Sequence, residues 1–343
     1  MPLIEVQKID EISRRILEKC NVPQQSIEIV VDTINYANRS GIPTHGAGRL
    51  PLYVKKIESG FFNPADDVCS VMDTGAVAIL DGKCGFGQVA AMHAVSMAVD
   101  KAKQYGISAV GVRNANNFGA AGYFGDYAAR QGMAALIFAN ASPAITPTNG
   151  SKKIFGTNPL CFAFPGSSIN DPIVLDMATT VVARGKIRLA IKNNEKIPFD
   201  WALDPDGQPT DDPNEALKGS LLPIGGYKGY GLSLFVDVFA GLLTGSAYAG
   251  HVQQLSKMDQ FSNNGHLFIL IDVKKFMTDE ELYQRVDYLY KSVVACGNKG
   301  DIKLPGGHRY ENMKEQTDKV ELPEKQIEDI NEIAEHLGIS MRL

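Results

Sequence analysis

The sequence lacks the features that mark secreted, membrane-spanning or nucleic-acid-binding proteins. Its five cysteines are odd in number and have no C-x-x-C spacing. The N-terminus has no basic segment followed by a long apolar run, so we expect a cytoplasmic protein with reduced thiols. No run of about 18 apolar residues predicts a membrane span. No block of like charge occurs, and the formal net charge is -5, so nucleic acid is not an expected partner.

Histidine is also scarce, which limits where proton transfer near neutral pH can occur. The six histidines are His45, His93, His251, His266, His308 and His336. They are scattered without the spacing of metal ligands, so we expect no metal site. What is present is ordinary globular composition, with 44% apolar and 21% charged residues in 343. This composition excludes a disordered, collagen-like or coiled-coil chain and favours one large or two modest domains.

Hydrophobic periodicity predicts a helical head followed by an α/β body. Apolar residues at helical spacing predict helices over 8–20, 24–38 and 52–59. From Ala76 onward, short apolar runs alternate with amphipathic segments, as in α/β proteins. The expected strands are 76–82, 107–114, 133–141, 158–165, 172–178 and 266–273. The expected helices are 88–106, 120–132, a buried helix over 229–245, and two tail helices over 279–297 and 324–337.

One glycine motif looks like a dinucleotide-binding fingerprint, but its context argues against that role. Residues 85–90 fit G-x-G-x-x-A between a strand and a helix, with Asp100 some distance beyond. Asp100 lies inside the helical pattern instead of ending a second strand, and the glycines follow a turn. We therefore expect Gly85 and Gly87 to serve packing.

The segment RSGIPTHGAGRLPLY brings three polar side chains into one register. His45, Arg49 and Tyr53 recur at four-residue steps, and Pro51 indicates that a loop and a helix start carry them. Arginine can clamp a carboxylate, and histidine can exchange a proton with a neighbouring oxygen. From the spacing alone, a hydrogen-bonded surface histidine with an exposed arginine is the simpler interpretation.

Four glycine-rich segments lie further along the chain, over 116–125, 147–159, 175–186 and 221–232. Small residues allow a ligand close to the backbone, and exposed N–H groups can hold phosphate oxygens. Lys228 between glycines could add a charge. Each segment alone predicts only a turn, but four in one α/β chain favour a nucleotide-sized ligand.

Together the motifs THGAGR, NNFGAAGYF, FGTNP, LDMATT-VVARGK, PFDWALDPDGQPT-DDP and LLPIGGYKGYGL resemble the type-2 malate/L-lactate dehydrogenase family. The resemblance runs in order from about residue 10 to residue 340. The family includes malate, L-lactate, sulfolactate and ureidoglycolate dehydrogenases and diketogulonate and cyclic-imine reductases. It implies NAD or NADP as cofactor, a homodimer, and a mixed-sheet α/β cofactor domain that is not a Rossmann fold, joined to a discontinuous helical domain.

The resemblance also implies a domain division. We expect a helical domain over 1–70 that the C-terminal tail completes, and an α/β NAD(P)-binding and catalytic domain over 71–300. Residues 301–343 are expected to supply a loop that closes over the cofactor and helices that pack on the helical domain.

By the same resemblance, His45 is the proton donor and acceptor, Thr44 takes the place of a relay hydroxyl that is commonly serine, and Lys186 is catalytic. The implied substrate-binding residues are Arg49, Tyr53, Thr157 and Asn117. The implied cofactor-binding residues are Asn117, Phe118, Gly119, Ala120, Ala121, Asp176, Met177, Ala178, Tyr227, Lys228, Gly229, Pro305, Gly306 and Gly307. The family more often has Gly-Glu where Gly306 and Gly307 stand.

Two positions bear on the substrate. Asn117 replaces the histidine usual in the family and cannot titrate, so the chemistry would rest on His45. Lys186 suits an anionic oxo acid better than a cationic imine. The leading hypothesis is therefore an NAD(P)-dependent 2-hydroxyacid dehydrogenase acting on malate. The alternatives are L-lactate, sulfolactate or ureidoglycolate dehydrogenase, a cyclic-imine reductase, or a dinucleotide-binding protein without catalysis.

Overall fold

The structure is a computed structural model that describes residues 1–298 and 300–343. The helices are α1 Val6–Lys19, α2 Gln24–Arg39, α3 Leu50–Glu58, α4 Gly87–Tyr105, α5 Ala121–Arg130, α6 Arg184–Asn193, α7 Pro213–Lys218, α8 Tyr227–Asp237, α9 Asp279–Val294, α10 Gly307–Glu315 and α11 Glu324–His336. The strands are β1 Leu3–Glu5, β2 Cys69–Thr74, β3 Val77–Asp81, β4 Ile107–Ala115, β5 Met133–Ala139, β6 Leu160–Phe164, β7 Ile173–Met177, β8 Ala202–Leu203, β9 Ser220–Leu221, β10 Asn264–Asp272 and β11 Lys319–Glu321.

The main sheet is mixed, which confirms the predicted α/β fold class. Its strand order is β2-β3-β4-β10-β5-β6-β7. Only the β3–β4 pair is parallel within this sheet, and β10 runs antiparallel between β4 and β5. Helices α4 and α5 cover one face, where their alanines and valines pack on Val110, Ile137 and Phe268. The other face packs on α8 and the π-helical turn after it.

The strand directions bring six strand ends to one edge of the sheet. Because β3, β4, β5 and β7 run one way and β6 and β10 the other, the first four end where the last two begin. We call this the loop edge. It consists of the segments after Asp81, Ala115, Ala139 and Met177 and before Leu160 and Asn264. Ligands of open α/β sheets bind outside such strand ends.

A second core combines the two ends of the chain. Ile9, Ile12 and Ile16 on α1 recur at helical spacing and are fully buried. They share this core with residues of α2, α3 and α11, including Ile330 and Ile333. Strand β1 pairs antiparallel with β11, which adds backbone hydrogen bonds between the two ends. A third, smaller core over residues 144–221 lies under α6 and α7.

The prediction of a buried helix over 229–245 is wrong in one respect. The helix exists as α8 and its π-helical continuation, but one face is open, with Leu232 44%, Phe235 58% and Leu243 56% exposed. An all-round apolar helix indicates burial, but the pattern does not say whether the same chain provides it. Within the described residues, no helix is long and apolar enough to cross a bilayer.

The glycine motif at residues 85–90 serves packing, as expected. Gly87 begins α4, and a Cβ atom added there would overlap the Asn116 carbonyl oxygen and lie 2.6 Å from the Asn117 carbonyl carbon. The Asn116 amide also donates to the carbonyl oxygens of Cys84 and Gly85, each at 2.8 Å. The motif therefore holds α4 against the loop after β4.

We predict that Gly87→Ala lowers the free energy of unfolding by about 1–3 kcal/mol, because the methyl group forces apart two well-packed backbone segments. Urea unfolding followed by circular dichroism measures the change.

Gly231→Ala is the matched control. Gly231 also lies in a helix, but nothing lies within 4 Å of an added Cβ. This change should raise the free energy of unfolding by about 0.5–1 kcal/mol through lost backbone entropy. Equal effects of the two substitutions would contradict the packing role of Gly87.

Candidate active site

The THGAGR segment forms two 3-10 turns, Pro43–His45 and Ala47–Arg49, directly before α3. Pro51 lies in the first turn of α3, where its missing N–H costs nothing. Asn38 on α2 fixes the segment by accepting a hydrogen bond from the Ala47 N–H at 3.3 Å. The predicted arrangement of a loop with a helix start is confirmed.

Two short contacts orient His45 and Arg49. The Thr44 hydroxyl lies 3.1 Å from Nδ1 of His45. Nε of Arg49 donates to the Thr44 carbonyl oxygen at 2.8 Å. Burial and the nearby charge of Arg49 lower the pKa of His45 to about 3, so the free protein carries a neutral imidazole at neutral pH.

Tyr53 lies behind Arg49, one turn further along α3. It is almost completely buried, and its hydroxyl accepts a hydrogen bond from Gln88 Nε2 at 2.7 Å. Its ring packs edge-on against Phe86 at 5.5 Å. Gln88 follows Gly87, whose backbone abuts Asn117. Tyr53 thus links α3 to the loop after β4, while its direct contact with substrate stays a prediction.

The first turn of α6 also lies against Thr44. A Cβ atom added at Gly185 would lie 3.3 Å from Thr44 Cγ2. Arg184 is half-buried and donates from Nη2 to the Pro143 carbonyl oxygen at 2.7 Å, which ties α6 to the segment after β5. Lys186 is exposed one residue beyond Gly185. The structure therefore brings Lys186 to the His45 region.

Three of the glycine-rich segments meet at the loop edge. The Thr179 N–H and hydroxyl both donate to the Thr157 carbonyl oxygen, at 2.9 and 3.0 Å. The Ile224 N–H donates in turn to the Thr179 carbonyl oxygen at 2.9 Å. Tyr227 and Lys228, three and four residues on, begin α8 and are exposed. Met177 and Ala178 are half-buried beside them.

The loop after β4 lies next to Asp176. Oδ1 of Asn117 accepts the Gly119 N–H at 3.1 Å, and Oδ2 of Asp176 accepts the Gly122 N–H at 2.7 Å in the first turn of α5. Burial raises the pKa of Asp176, while Arg309 opposes the rise. Ala120 and Ala121, which lead into α5, are buried. The loop after β4 and the end of β7 therefore meet.

Phe118 is fully buried, and its ring stacks on the imidazole of His266 at 4.5 Å between centroids. Any contact of Phe118 with a cofactor would therefore involve its backbone. Burial lowers the pKa of His266 to about 3.

The late loop Pro305–Gly307 packs beside β7. The Val174 N–H donates to the Pro305 carbonyl oxygen at 3.0 Å, and Gly306 adopts φ +93°. Arg309, just beyond, reaches the loop edge, since a Cβ atom at Gly122 would lie 2.6 Å from its Nη1. Its Nη1 also lies 3.3 Å from the Tyr36 hydroxyl.

Sequence reasoning missed Arg309, Arg184 and His266. Arg184 lies inside the motif VVARGK and Arg309 lies two residues after Pro305–Gly307, and these positions were the available signal. His266 carried no signal beyond its position in an apolar strand.

The residues at the loop edge fit a nucleotide cofactor. Gly119, Gly225 and Gly226 have positive φ and nothing within 4 Å of an added Cβ, so their backbone is open to a ligand. Backbone N–H groups, hydroxyls and a carboxylate suit phosphates and ribose hydroxyls. Among the residues described, no group of three or more His, Cys, Asp or Glu side chains could hold a metal ion.

Comparison with known proteins shows which family this chain resembles. The family described as malate/L-lactate dehydrogenase matches residues 4–331. The L-sulfolactate dehydrogenase of Methanothermobacter thermautotrophicus is 37% identical over 334 residues, which is 97% of this chain and 96% of that protein. The malate dehydrogenase of Pyrococcus abyssi is 35% identical over 338 residues, covering 95% of this chain and 92% of that one.

The name of a third relative includes a cofactor. The (2R)-3-sulfolactate dehydrogenase (NADP(+)) of Chromohalobacter salexigens is 32% identical over 333 residues, 97% of this chain and 98% of that one. Among solved structures, the sulfolactate dehydrogenase of Methanocaldococcus jannaschii superimposes with a TM-score of 0.92 at 34% identity, covering 99% of this chain and 98% of that one. The chain therefore belongs to the malate/L-lactate dehydrogenase family, whose members include 2-hydroxyacid dehydrogenases.

Proposed function

We propose that this protein is an NAD(P)-dependent dehydrogenase that interconverts malate and oxaloacetate, with His45 as the proton donor and acceptor. The observation that carries the proposal is the juxtaposition of the His45 imidazole, the Arg49 guanidinium and the cationic first turn of α6 around Thr44.

Arg49 is suited to bind the carboxylate next to the reacting carbon. Its Nε is used by the Thr44 carbonyl oxygen, which leaves both terminal Nη groups without a hydrogen-bond partner in the described residues. A guanidinium presents such groups in a geometry that matches a carboxylate. A bound carboxylate would place the C2 oxygen of the substrate towards His45.

His45 would take the proton from the C2 hydroxyl during oxidation and return it to the C2 oxygen during reduction. The imidazole of the substrate-free protein is neutral, which suits the first role. A bound substrate carboxylate offsets the charge of Arg49 and raises the pKa of His45, which supports the second role. Thr44, at Nδ1, would hold the ring and relay the proton.

Nicotinamide, when bound, supplies the hydride acceptor or donor for this reaction. Asn117, Gly119, Asp176 and the start of α8 are the residues proposed to hold the dinucleotide along the loop edge. Their open backbone supports this role. NAD and NADP are both proposed cofactors.

A second candidate substrate pair is 3-sulfolactate and sulfopyruvate. The named sulfolactate relatives favour it, since two of them are 37% and 32% identical over 97% of this chain. Both candidate pairs carry a carboxylate at C1 and a second anionic group, so both require a site that binds two anionic groups.

We predict that the wild-type protein oxidises NADH or NADPH with oxaloacetate or sulfopyruvate, and that His45→Asn lowers kcat by about 10²–10⁴-fold because the proton has no donor. Cofactor binding, followed by nicotinamide fluorescence, should persist in the variant.

His336→Asn is the matched control, since His336 is exposed at the end of α11 and pairs with Glu58. It should keep wild-type activity. Turnover that survives His45→Asn would refute the acid–base assignment. A wild-type protein that binds cofactor without reducing any 2-oxo acid would favour the non-catalytic alternative, in which Asn117 marks a lost function.

The lowered pKa of His45 predicts the pH dependence. Oxidation needs the neutral imidazole. When the pH is lowered below 6.5, the usual histidine pKa, kcat/KM for the hydroxy acid should therefore stay constant. Reduction needs the imidazolium, so kcat/KM for the oxo acid should rise as the pH falls across about pH 8 to 5. Steady-state rates in both directions measure this, and an acid limb for oxidation at or above 6.5 would contradict the assignment.

We further propose a homodimer that covers the open apolar face of α8, where Leu232, Phe235 and Leu243 are exposed. Light scattering should give twice the mass of 37.2 kDa for the wild-type protein and about the single mass for Phe235→Glu, which buries a charge in such an interface. A wild-type monomer would refute the dimer.

A further inference from the structure

The first turn of α6 gathers cations that have no carboxylate partner. Among the described residues, Lys153, Arg184 and Lys186, which we call the cluster, take part in no ion pair, and neither does Arg49. Nearby lysines outside this cluster, such as Lys196 and Lys218, do pair with acidic residues. Unpaired cations that share a half-buried site repel one another unless an anion joins them.

Burial and neighbouring positive charge lower the pKa values of two members of the cluster. Burial and the charge of Arg188 lower the pKa of Arg184, and burial and the charge of Arg184 lower the pKa of Lys153. Both side chains are nevertheless held in place. Nη2 of Arg184 donates to the Pro143 carbonyl oxygen at 2.7 Å, and Nζ of Lys153 donates to the Lys218 carbonyl oxygen at 3.0 Å. Both side chains are anchored by neutral carbonyl groups that leave their charges uncompensated.

Arg49 and the start of α6 both contact Thr44, the residue next to His45. Arg49 donates to the carbonyl oxygen of Thr44, while Gly185, between Arg184 and Lys186, approaches the Thr44 methyl group at 3.3 Å from an added Cβ. A short molecule with an anionic group at each end could therefore contact Arg49 and the start of α6 together, close to His45. Four-carbon dicarboxylates and three-carbon sulfo-acids have this shape.

We propose that Arg184, supported by Lys153, binds the second anionic group of the substrate, whether carboxylate or sulfonate, and so selects dianionic over monoanionic oxo acids. This inference rests on the proposed function and deepens it. Arg184 binds and selects without taking part in proton transfer. Lys186, which is exposed, adds charge at the rim of the same subsite.

The test compares Arg184→Gln with Lys192→Gln, which removes one positive charge from the exposed last turn of the same helix. For Arg184→Gln, kcat/KM should fall about 10–100-fold for oxaloacetate and sulfopyruvate, mainly through KM, as expected for loss of a charged hydrogen bond. For pyruvate, a monoanion, it should change less than about twofold. Arg184→Lys should restore part of the preference.

Lys192→Gln should leave all three substrates unchanged. A fall confined to sulfopyruvate or to oxaloacetate would identify which second group the site holds. Equal losses for dianions and pyruvate, or no loss for either, would overturn the proposal.

A binding measurement separates this proposal from the proposed function. Calorimetry should show that the wild-type protein with cofactor binds malonate more tightly than acetate, and that Arg184→Gln abolishes the difference. Absence of turnover with every oxo acid would refute the proposed function while leaving this binding difference intact. Equal binding of malonate by wild type and Arg184→Gln would refute the subsite.

Discussion

The position of β10 is the constraint on which the rest of the site depends. This strand runs antiparallel to both of its neighbours, which makes β4 and β5 parallel although they do not pair with each other. Their carboxyl ends therefore lie at the same edge, with the end of β7 and the start of β6. Three segments that are far apart in sequence meet there without a Rossmann phosphate loop.

The second determinant is the packing of two cationic elements on Thr44. The start of α3 holds Arg49 on its carbonyl side and the start of α6 approaches its methyl group. Burial and the charge of Arg49 lower the pKa of His45, so its imidazole is neutral in the free protein. An anionic substrate would neutralise the charge of Arg49, so substrate binding and the proton affinity of His45 are coupled.

Local patterns were sufficient for much of the fold. The spacing of Ile9, Ile12 and Ile16 predicted α1, and the apolar runs predicted the central strands within a few residues of their bounds. Strand β2 was not predicted, because all of its side chains are exposed and carry no alternation of apolar and polar residues. The open face of α8 was not predicted either, since apolar composition does not distinguish burial within a chain from burial between chains.

For the site, sequence pattern found the segments but not the contacts between them. The motif around His45 was visible, whereas the approach of Gly185 to Thr44 and the reach of Arg309 to Gly122 depend on tertiary packing. The role of Gly87 could be inferred from context, because the residue that would read a ribose was missing from its expected place. Arg184 is part of the motif VVARGK, and only its anchoring to Pro143 distinguishes it from a solvated arginine.

The most direct test of the account is a crystal structure of the wild-type protein with oxidised cofactor and tartronate, a dianionic hydroxy acid. We expect one carboxylate on Arg49, the other at Arg184, and the C2 hydroxyl within about 2.6–3.2 Å of the His45 ring. Tartronate bound away from Arg49, or a C2 hydroxyl that faces Asn117 with His45 out of reach, would contradict it.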